Sequence, residues 1–307
     1  MPSSVLMNFW ANTRNQSKME SIRSLEDISS DVLYEAFQEA FKDYEMQLSR
    51  PELLKMLHRR GFKPHLSFGA FENGRLVSFT FNGIGTFMGI STAYDTGTGT
   101  IEEFRGKGLA RRIFDYSIPH LKKSGIKQYL LEVLQHNTGA VSLYKRLGFE
   151  VSREFNYFSA DMNMLHPIPE SQENNYQIRS AGLKDKEHMR TFWDHRPSWQ
   201  NSFEAVERRA KDFQIIGAYQ NEKLLGYIIF EPGSGDITQL AVKKDRRRKG
   251  IASLLLREAL EKNTHPSIKA VNYEISDMGI SGLMESLGIT WKGKQFEMIK
   301  KLTLNES

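Results

Sequence analysis

The chain has 307 residues, about twice the usual length of one domain, so two domains are expected. Hydrophobic residues make up 39% of the chain, and no run approaches the roughly 18 apolar residues of a membrane-spanning helix, which argues against a membrane partner. The absence of cysteine excludes disulfides, thiolate metal sites and cysteine nucleophiles, and it fits a reducing, cytoplasmic location. A net charge of +5 favours an anionic ligand without indicating a nucleic-acid partner.

Two polar segments set the predicted domain boundaries. Residues 1–18 lack the apolar stretch of a secretory signal, and we interpret them as an N-terminal extension, either a tail or a segment that docks through Phe9 and Trp10. Residues 163–175 contain Pro167, Pro169 and a polar run that disfavours a continuous helix or strand. We interpret them as a linker between an N-terminal domain at 19–162 and a C-terminal domain at 176–307.

The N-terminal domain is predicted to begin with a short strand near Ile22 and a helix over 31–41, where apolar residues recur on one face. A second helix is predicted to start after Ser49 as N-cap, with Pro51 in its first turn. Residues 69–79 predict a hairpin, and the glycine-rich run after it leads into a strand over 93–100.

The remaining elements of this domain follow a second glycine-rich turn. A third helix is predicted over 108–123, ended by Gly125. Residues 129–134 are mostly apolar, which predicts a strand buried on both faces in a parallel-paired centre. A fourth helix is predicted over 137–147, and Phe149 opens the last strands.

An internal repeat organises the whole chain. The hairpin at 69–79 aligns with residues 217–227 at an offset of 148. The glycine turn around Gly108 aligns with the one around Gly250 at an offset of 142, and residues 147–149 align with 287–289 at an offset of 140. Three landmarks in one order predict two copies of one fold, because this period is far longer than that of a solenoid.

The basic glycine turns are candidate phosphate-binding loops. In the first copy the turn consists of Arg105, Gly106, Lys107, Gly108, Leu109 and Ala110; in the second it consists of Arg247, Arg248, Lys249, Gly250, Ile251 and Ala252. A tight turn into a helix exposes unpaired N–H groups and the positive end of the helix dipole, which suits a phosphate or pyrophosphate. The alternative is a charged surface turn. The basic run at 246–249 falls on this turn, so a cofactor phosphate explains it more simply than nucleic acid does.

Two motifs carry a family resemblance. Residues 105–110 resemble the acetyl-CoA-binding signature of the GCN5-related N-acetyltransferase (GNAT) superfamily, in which a basic residue or Gln is followed by x-x-Gly-x-Gly/Ala. Residues 137–149 resemble its other signature, Asn-x-x-Ala-x-x-Leu-Tyr-x-x-x-Gly-Phe. The resemblance implies the α/β class with a mixed, α+β-type sheet, arranged as two tandem GNAT-type acyltransferase domains. It also implies acetyl-CoA as co-substrate, with no metal.

The resemblance also implies roles for individual residues of the first copy. Tyr144 matches the tyrosine that protonates the departing thiolate in the family; the alternative is a core aromatic. Glu132 interrupts an apolar strand twelve residues before Tyr144, as in ribosomal-protein alanine acetyltransferases, where the matching Glu helps to deprotonate the amine. Burial would raise the pKa of Glu132 and suit it to act as a base; the alternative is an edge residue paired to Lys or Arg. Asn137 is expected to bind the pantetheine arm.

Glycines in the strand before the phosphate turn predict a close approach to the backbone. The resemblance implies that Thr98, Gly99 and Thr100 meet the acetyl and pantetheine end of the cofactor. Asp95 is a second candidate carboxylate, with a turn-capping role as the alternative.

The second copy departs from the pattern. The position of Tyr144 falls on Met284, which cannot donate a proton, and the positions of Asn137 and Ala140 fall on Asp277 and Ile280. Leu240, Ala241 and Val242 together with residues 247–252 nevertheless form a possible second cofactor site. The alternative is a degenerate copy that only builds the core and the wall of the substrate groove.

Two functions follow from these expectations. The first is an N-acetyltransferase that moves acetyl from acetyl-CoA to a primary amine by direct attack in the N-terminal domain. The acceptor would be an amine-bearing small molecule, a protein N-terminus or a lysine. The second is a non-catalytic tandem module that binds CoA or a partner. The histidines show no metal-binding spacing, so no metal is expected.

Overall fold

A computed structural model describes residues 21–43, 47–168 and 176–302. The predicted extension at 1–18 and residues 169–175 of the predicted linker lie outside these ranges. Among the described helices, none combines the length and the apolar character needed to cross a membrane. Within the same ranges, no cluster of three or more His, Cys, Asp or Glu is arranged to hold a metal ion.

Each copy has the same succession of helices and strands. In the first copy these are β1 (Ser21–Ser24), α1 (Ser30–Ala40), α2 (Arg50–Arg59), β2 (Phe68–Glu72), β3 (Arg75–Phe87), β4 (Ile90–Thr100), α3 (Leu109–Lys123), β5 (Gln128–Leu134), α4 (Thr138–Arg146) and β6 (Glu150–Asp161). In the second copy these are β7 (Gln177–Ser180), α5 (Lys186–Arg190), α6 (Phe203–Arg208), β8 (Gln214–Gln220), β9 (Lys223–Glu231), β10 (Asp236–Val242), α7 (Ile251–Lys262), β11 (Ser267–Glu274), α8 (Met278–Ser286) and β12 (Thr290–Lys301).

Local signals place most of these boundaries. Ser49 begins α2 in a capping box, with its backbone N–H donating to the Glu52 carboxylate at 2.7 Å. Gly125 follows α3 in the left-handed conformation, as the sequence predicts. The glycine-rich run at 82–92 is itself a hairpin, because β3 continues to Phe87 and β4 starts at Ile90.

The two copies share one continuous sheet through exchanged strands. Within the described residues the order is β1-β2-β3-β4-β5-β12-β6-β11-β10-β9-β8-β7. The last strand of the second copy, β12, lies antiparallel between β5 and β6 of the first copy. Strand β6 in turn pairs with β11 of the second copy. The first copy thus contributes one strand, β6, after α4. The sequence predicted more than one strand after Phe149, and the strand that lies between β5 and β6 is β12, from the end of the chain.

Helices α3 and α4 cover one face of the first half of the sheet. Phe114 of α3, Tyr144 of α4 and Tyr129, Leu131 and Val133 of β5 are buried in one cluster there. The opposite face carries Leu130, Tyr94 and Phe87, which pack with Trp199 from the second copy. Strand β5 therefore presents one side chain set to its own helices and the alternate set to the second copy.

Candidate active site

The site begins where β4 and β5 separate. Their parallel pairing is limited to residues 92–94 of β4 and 128–130 of β5. Beyond that point β4 pairs only with β3, and β5 only with β12. The facing backbone edges of the two strands have no partner strand among the described residues, which is an arrangement that suits an extended ligand with its own amide groups. Strands β10 and β11 separate in the same way after a single parallel pair, Asp236 and Lys269.

Glu132 lies on the face of β5 that meets the second copy. One carboxylate oxygen, Oε2, accepts hydrogen bonds from Tyr94 Oη at 2.9 Å, Gln200 Nε2 at 3.0 Å and Asn272 Nδ2 at 2.6 Å. The other oxygen, Oε1, is buried and accepts no hydrogen bond from the described residues. Burial raises the pKa of Glu132, and the nearby Arg60 guanidinium opposes that rise. Its direct partners are thus a phenol and two amides, not the Lys or Arg of the alternative interpretation.

Tyr144 lies on the other face of the same opening. Its ring packs edge-on against Phe114 and Phe149, and its hydroxyl donates to Asp95 Oδ2 at 3.2 Å. The two interpretations of Tyr144 are therefore compatible, because the ring belongs to the core while the hydroxyl reaches β4.

Asp95 is both a local cap and a partner of Tyr144. It accepts from the backbone N–H of Gly97 at 2.9 Å and from Thr98 Oγ1 at 2.8 Å. Burial raises the pKa of Asp95 to about 6, against the opposing effect of these donors and of Tyr144. The opening thus has Glu132 on one side of the sheet and the Tyr144–Asp95 pair on the other.

The glycine turn before α3 has the conformation of an anion-binding loop. Gly106 and Gly108 have φ of +77° and +74°, and Gly108 is the N-cap of α3. A Cβ at either position would meet no atom within 4 Å, so glycine serves the backbone conformation and leaves the space in front of the loop open. The first-turn N–H groups of a helix have no partner within the helix, which is an arrangement that suits an anion.

Arg105 has a structural part in this loop. Its guanidinium donates to the carbonyl of Thr100 at 3.1 Å and to that of Ala40 at 2.9 Å. It thereby ties the end of β4 to the end of α1. Lys107 lies with its ammonium 4.5 Å from the ring centre of Phe104. Leu109 is buried and anchors the start of α3.

Two other predicted cofactor contacts have partners within the protein. Asn137 is the N-cap of α4, where its side chain accepts from the backbone N–H of Ala140 at 3.1 Å. A Cβ at Gly99 would come within 2.7 Å of Phe79 and 2.9 Å of Ala40. On the side where a Cβ would lie, the close approach expected at Gly99 is made by the protein's own side chains. Thr98 contacts Thr80 and Asp95, and Thr100 contacts Ser78.

The second copy repeats the loop. Arg247 donates to the carbonyls of Val242 and Phe192, both at 3.1 Å, as Arg105 does in the first copy. Gly250 is the N-cap of α7 with φ of +78°, and Arg248 takes the left-handed conformation of Gly106. Asp277 caps α8 as Asn137 caps α4. Met284 is fully buried in the core.

A cavity of about 700 Å³ lies in front of the second loop. Most of the predicted second cofactor site lines it, namely Leu240, Ala241, Val242, Arg247, Arg248, Gly250, Ile251 and Ala252. Its wall also contains Tyr227, whose hydroxyl donates to Gln239 at 2.7 Å, and Tyr273, whose hydroxyl donates to the carbonyl of Ile237 at 3.3 Å. At the inner end it reaches Asn272, the residue that donates to Glu132.

Sequence reasoning missed the partners of Glu132. Tyr94, Gln200 and Asn272 come from three different segments, and Arg60, which directly follows α2, donates to Gln200 at 2.6 Å. One available signal was the repeat itself. Asn272 stands 140 residues after Glu132, the same offset that relates residues 147–149 to 287–289.

The fold and the two loops define a tandem pair of acyltransferase folds. A family model described as the acetyltransferase (GNAT) family matches residues 30–149 and 176–273, more than half of the chain and both copies. The chain therefore belongs to the GNAT acetyltransferase family. This confirms the family and the fold class that the two motifs predicted.

Curated relatives match part of the chain. N-alpha-acetyltransferase MAK3 of Arabidopsis thaliana is 28% identical over 123 residues, which cover 38% of this chain and 65% of the relative. The [ribosomal protein bS18]-alanine N-acetyltransferase of Escherichia coli (strain K12) is 27% identical over 95 residues, which cover 31% of this chain and 62% of the relative. The chain thus spans somewhat less than two thirds of the length of these relatives.

Solved structures match the whole tandem arrangement. A tandem GNAT protein from the clavulanic acid biosynthesis pathway, solved without AcCoA, superimposes with a TM-score of 0.71 at 12% identity, covering 94% of this chain and 100% of that one. A GCN5-related N-acetyltransferase from Sphaerobacter thermophilus gives 0.71 at 15% identity, covering 93% and 96%. At these identities the likeness concerns the fold alone.

Proposed function

We propose that the protein is an acetyl-CoA-dependent N-acetyltransferase in which a primary amine attacks the thioester directly, in the N-terminal copy. The observation that carries this proposal is Glu132. It is a carboxylate at the opening between β4 and β5. One oxygen is saturated by donors, and the other is buried and accepts no hydrogen bond from the part of the chain that the structure describes. A buried acceptor atom without a partner is costly unless a ligand supplies the donor.

The residues present fit acetyl-CoA as the acetyl donor. The pyrophosphate would lie on the backbone amides of residues 105–110, where the turn is open and the helix dipole is favourable. The pantetheine amides would pair with the separated edges of β4 and β5, near Thr98, Thr100 and Asn137. The donor supplies a thioester carbonyl, and the protein supplies the groups that move protons.

Proton transfers divide between the two faces of the sheet. Glu132 Oε1 takes a proton from the acceptor ammonium, because only the neutral amine attacks. The carbon–nitrogen bond forms as the carbon–sulfur bond breaks, and Tyr144 gives its hydroxyl proton to the departing thiolate. The second proton lost by the nitrogen restores Tyr144, so the products are an amide, CoA and one released proton.

The second copy is proposed to bind the cofactor without transferring acetyl. Two features support cofactor binding there: the cavity in front of the loop, and the hydrogen bonds by which Arg247 holds the loop to Val242 and Phe192. Met284, which lies where the first copy has Tyr144, has no proton to give and is buried in the core.

For the acceptor, the named activities of the two curated relatives favour a protein N-terminus over the other amines. The test is release of CoA thiol from acetyl-CoA with a panel of amines. It includes peptides with free N-termini, the same peptides N-blocked but containing lysine, a polyamine, an amino sugar and an aminoglycoside. Saturable release with the free N-terminal peptides supports the proposal. No release above buffer with any amine, while acetyl-CoA still binds, supports the non-catalytic module instead.

A further inference from the structure

Glu132 and Asn272 occupy equivalent positions in the two copies, and their side chains are in direct contact. They hold corresponding positions in β5 and β11, 140 residues apart. The Asn272 amide donates to Glu132 Oε2 at 2.6 Å. A carboxylate at 272 would place two like charges in contact, whereas the amide supplies a donor.

The second donor from the second copy, Gln200, has a fixed orientation. Arg60 donates to its Oε1 at 2.6 Å, and a guanidinium can only donate, so Nε2 is the end that faces Glu132 at 3.0 Å. Arg60 is fixed in turn by the carbonyl of Thr96 at 3.0 Å. Gln295 of β12 donates to Asn272 Oδ1 at 3.0 Å, which orients that amide as well.

Asn272 has the backbone of a specialised position. Its φ is +61°, and the pairing of β11 with β6 shifts register between Ala270 and Tyr273. This left-handed conformation favours Asn, Asp or Gly. Replacement by Gly or Asp therefore changes the side chain without adding backbone strain.

The other charged groups around Glu132 are accounted for. Glu297 stands opposite Glu132 in the pairing of β5 with β12, and its charge is matched by Arg153, with Nη2 at 2.5 Å. Arg60 is engaged with Gln200 and Thr96. Tyr94 donates to Glu132 from β4. The donors from the second copy therefore act on a carboxylate that makes no direct ion pair within the described residues.

We propose that the second copy completes the site of the first: Asn272 and Gln200 are positioning residues that saturate Glu132 Oε2 and leave Oε1 to the acceptor amine. This inference rests on the proposed function, in which Glu132 is the base. The exchanged strands join both copies into one sheet, and in that arrangement Asn272 of β11 and Gln200 of the segment before α6 reach Glu132 of β5.

The test compares Asn272→Gly, Asn272→Asp and Gln200→Ala with Gln220→Ala, an amide at the end of β8 that makes none of these contacts. The pKa of the Glu132 carboxyl is read from infrared titration of the protein alone, with the Glu132→Gln spectrum subtracted. Loss of a donor to the ionised form should move the midpoint to higher pH by about one unit, and Asn272→Asp should move it further. The acidic limb of the kcat profile should move with it, with KM for acetyl-CoA unchanged.

The outcomes separate this inference from the proposed function. A midpoint and kcat profile unchanged in Asn272→Gly and Gln200→Ala, with Glu132→Gln inactive, would overturn the positioning role and leave the acetyltransferase proposal standing. A shifted midpoint in an enzyme whose Glu132→Gln variant turns over normally would confirm that the second copy holds Glu132 and overturn the base role. Folding of each variant is checked by circular dichroism.

Discussion

The hydroxyl of Tyr144 in α4 donates to the carboxylate of Asp95 in β4 at 3.2 Å. Tyr144 is thus held in place by a carboxylate whose own pKa burial raises to about 6. In the proposed acid step, a neutral Asp95 can donate to the Tyr144 phenolate, whereas an ionised Asp95 repels it. The protonation state of Asp95 therefore bears on the proposed acid step. Tyr144 and Asp95 each yield a separate prediction.

Tyr144→Phe is expected to lower kcat by about 10²–10⁴-fold while leaving the Kd of acetyl-CoA nearly unchanged. The reason is that a positioned acid contributes mainly in the transition state. Steady-state kinetics at several pH values and calorimetric binding measure the two effects. Tyr129→Phe is the matched control, since it removes a buried hydroxyl of the same cluster whose hydrogen bond goes to Asn82 and not to Asp95. Wild-type kcat in Tyr144→Phe would make Tyr144 a packing residue only.

Asp95→Asn is expected to flatten the pH dependence of stability. Burial raises the pKa of Asp95 in the folded state. The stabilising contribution of protonated Asp95 to folding is therefore present below about pH 4 and is lost as pH rises through about 6. The free energy of unfolding of the wild type, relative to Asp95→Asn, should therefore fall by roughly 2 kcal/mol between pH 4 and pH 7. Urea unfolding at four pH values measures this difference. Parallel curves of unfolding free energy against pH for the two proteins would show that burial does not raise the pKa of Asp95.

Gly108→Val is expected to abolish acetyl-CoA binding in the first copy, because Val at φ of +74° distorts the loop that presents the amides. The measurement is calorimetry in a Gly250→Val background, so that only the first copy is read. Gly125→Val is the control. It imposes the same kind of strain, at φ of +77°, on the other end of the same helix. Equal loss of affinity in both variants would mean that strain in α3, and not the loop, is responsible.

Sequence signals were sufficient wherever they were local. The N-cap and Pro51 predicted α2, the apolar run predicted β5, and the two motifs predicted the family. The strand exchange had no such signal. The alternation of side chains along β12 is the same whether β12 pairs within its own copy or with β5 of the other copy. The partners of Glu132 were also hidden. Gln200 and Asn272 stand 68 and 140 residues away along the chain, and only the sheet brings them to β5.

Gly99 shows how far one residue type can be interpreted. The glycine correctly predicted a close approach to the backbone, and on the side of the Cβ the approaching groups are Phe79 and Ala40. A glycine in a strand indicates a close contact without identifying the group that makes it.

We propose that acetyl transfer takes place in the first copy, through Glu132 and Tyr144. The most direct test is CoA release with the best acceptor of the panel by two double variants. Glu132→Gln with Tyr144→Phe should leave no transfer above background. Arg247→Ala with Gly250→Val, which disrupts the equivalent loop of the second copy, should change stability or acceptor KM but keep kcat within about threefold, an effect under roughly 1 kcal/mol. Substantial transfer by the folded first variant, with loss of transfer in the second, would contradict the account and place the chemistry in the second copy.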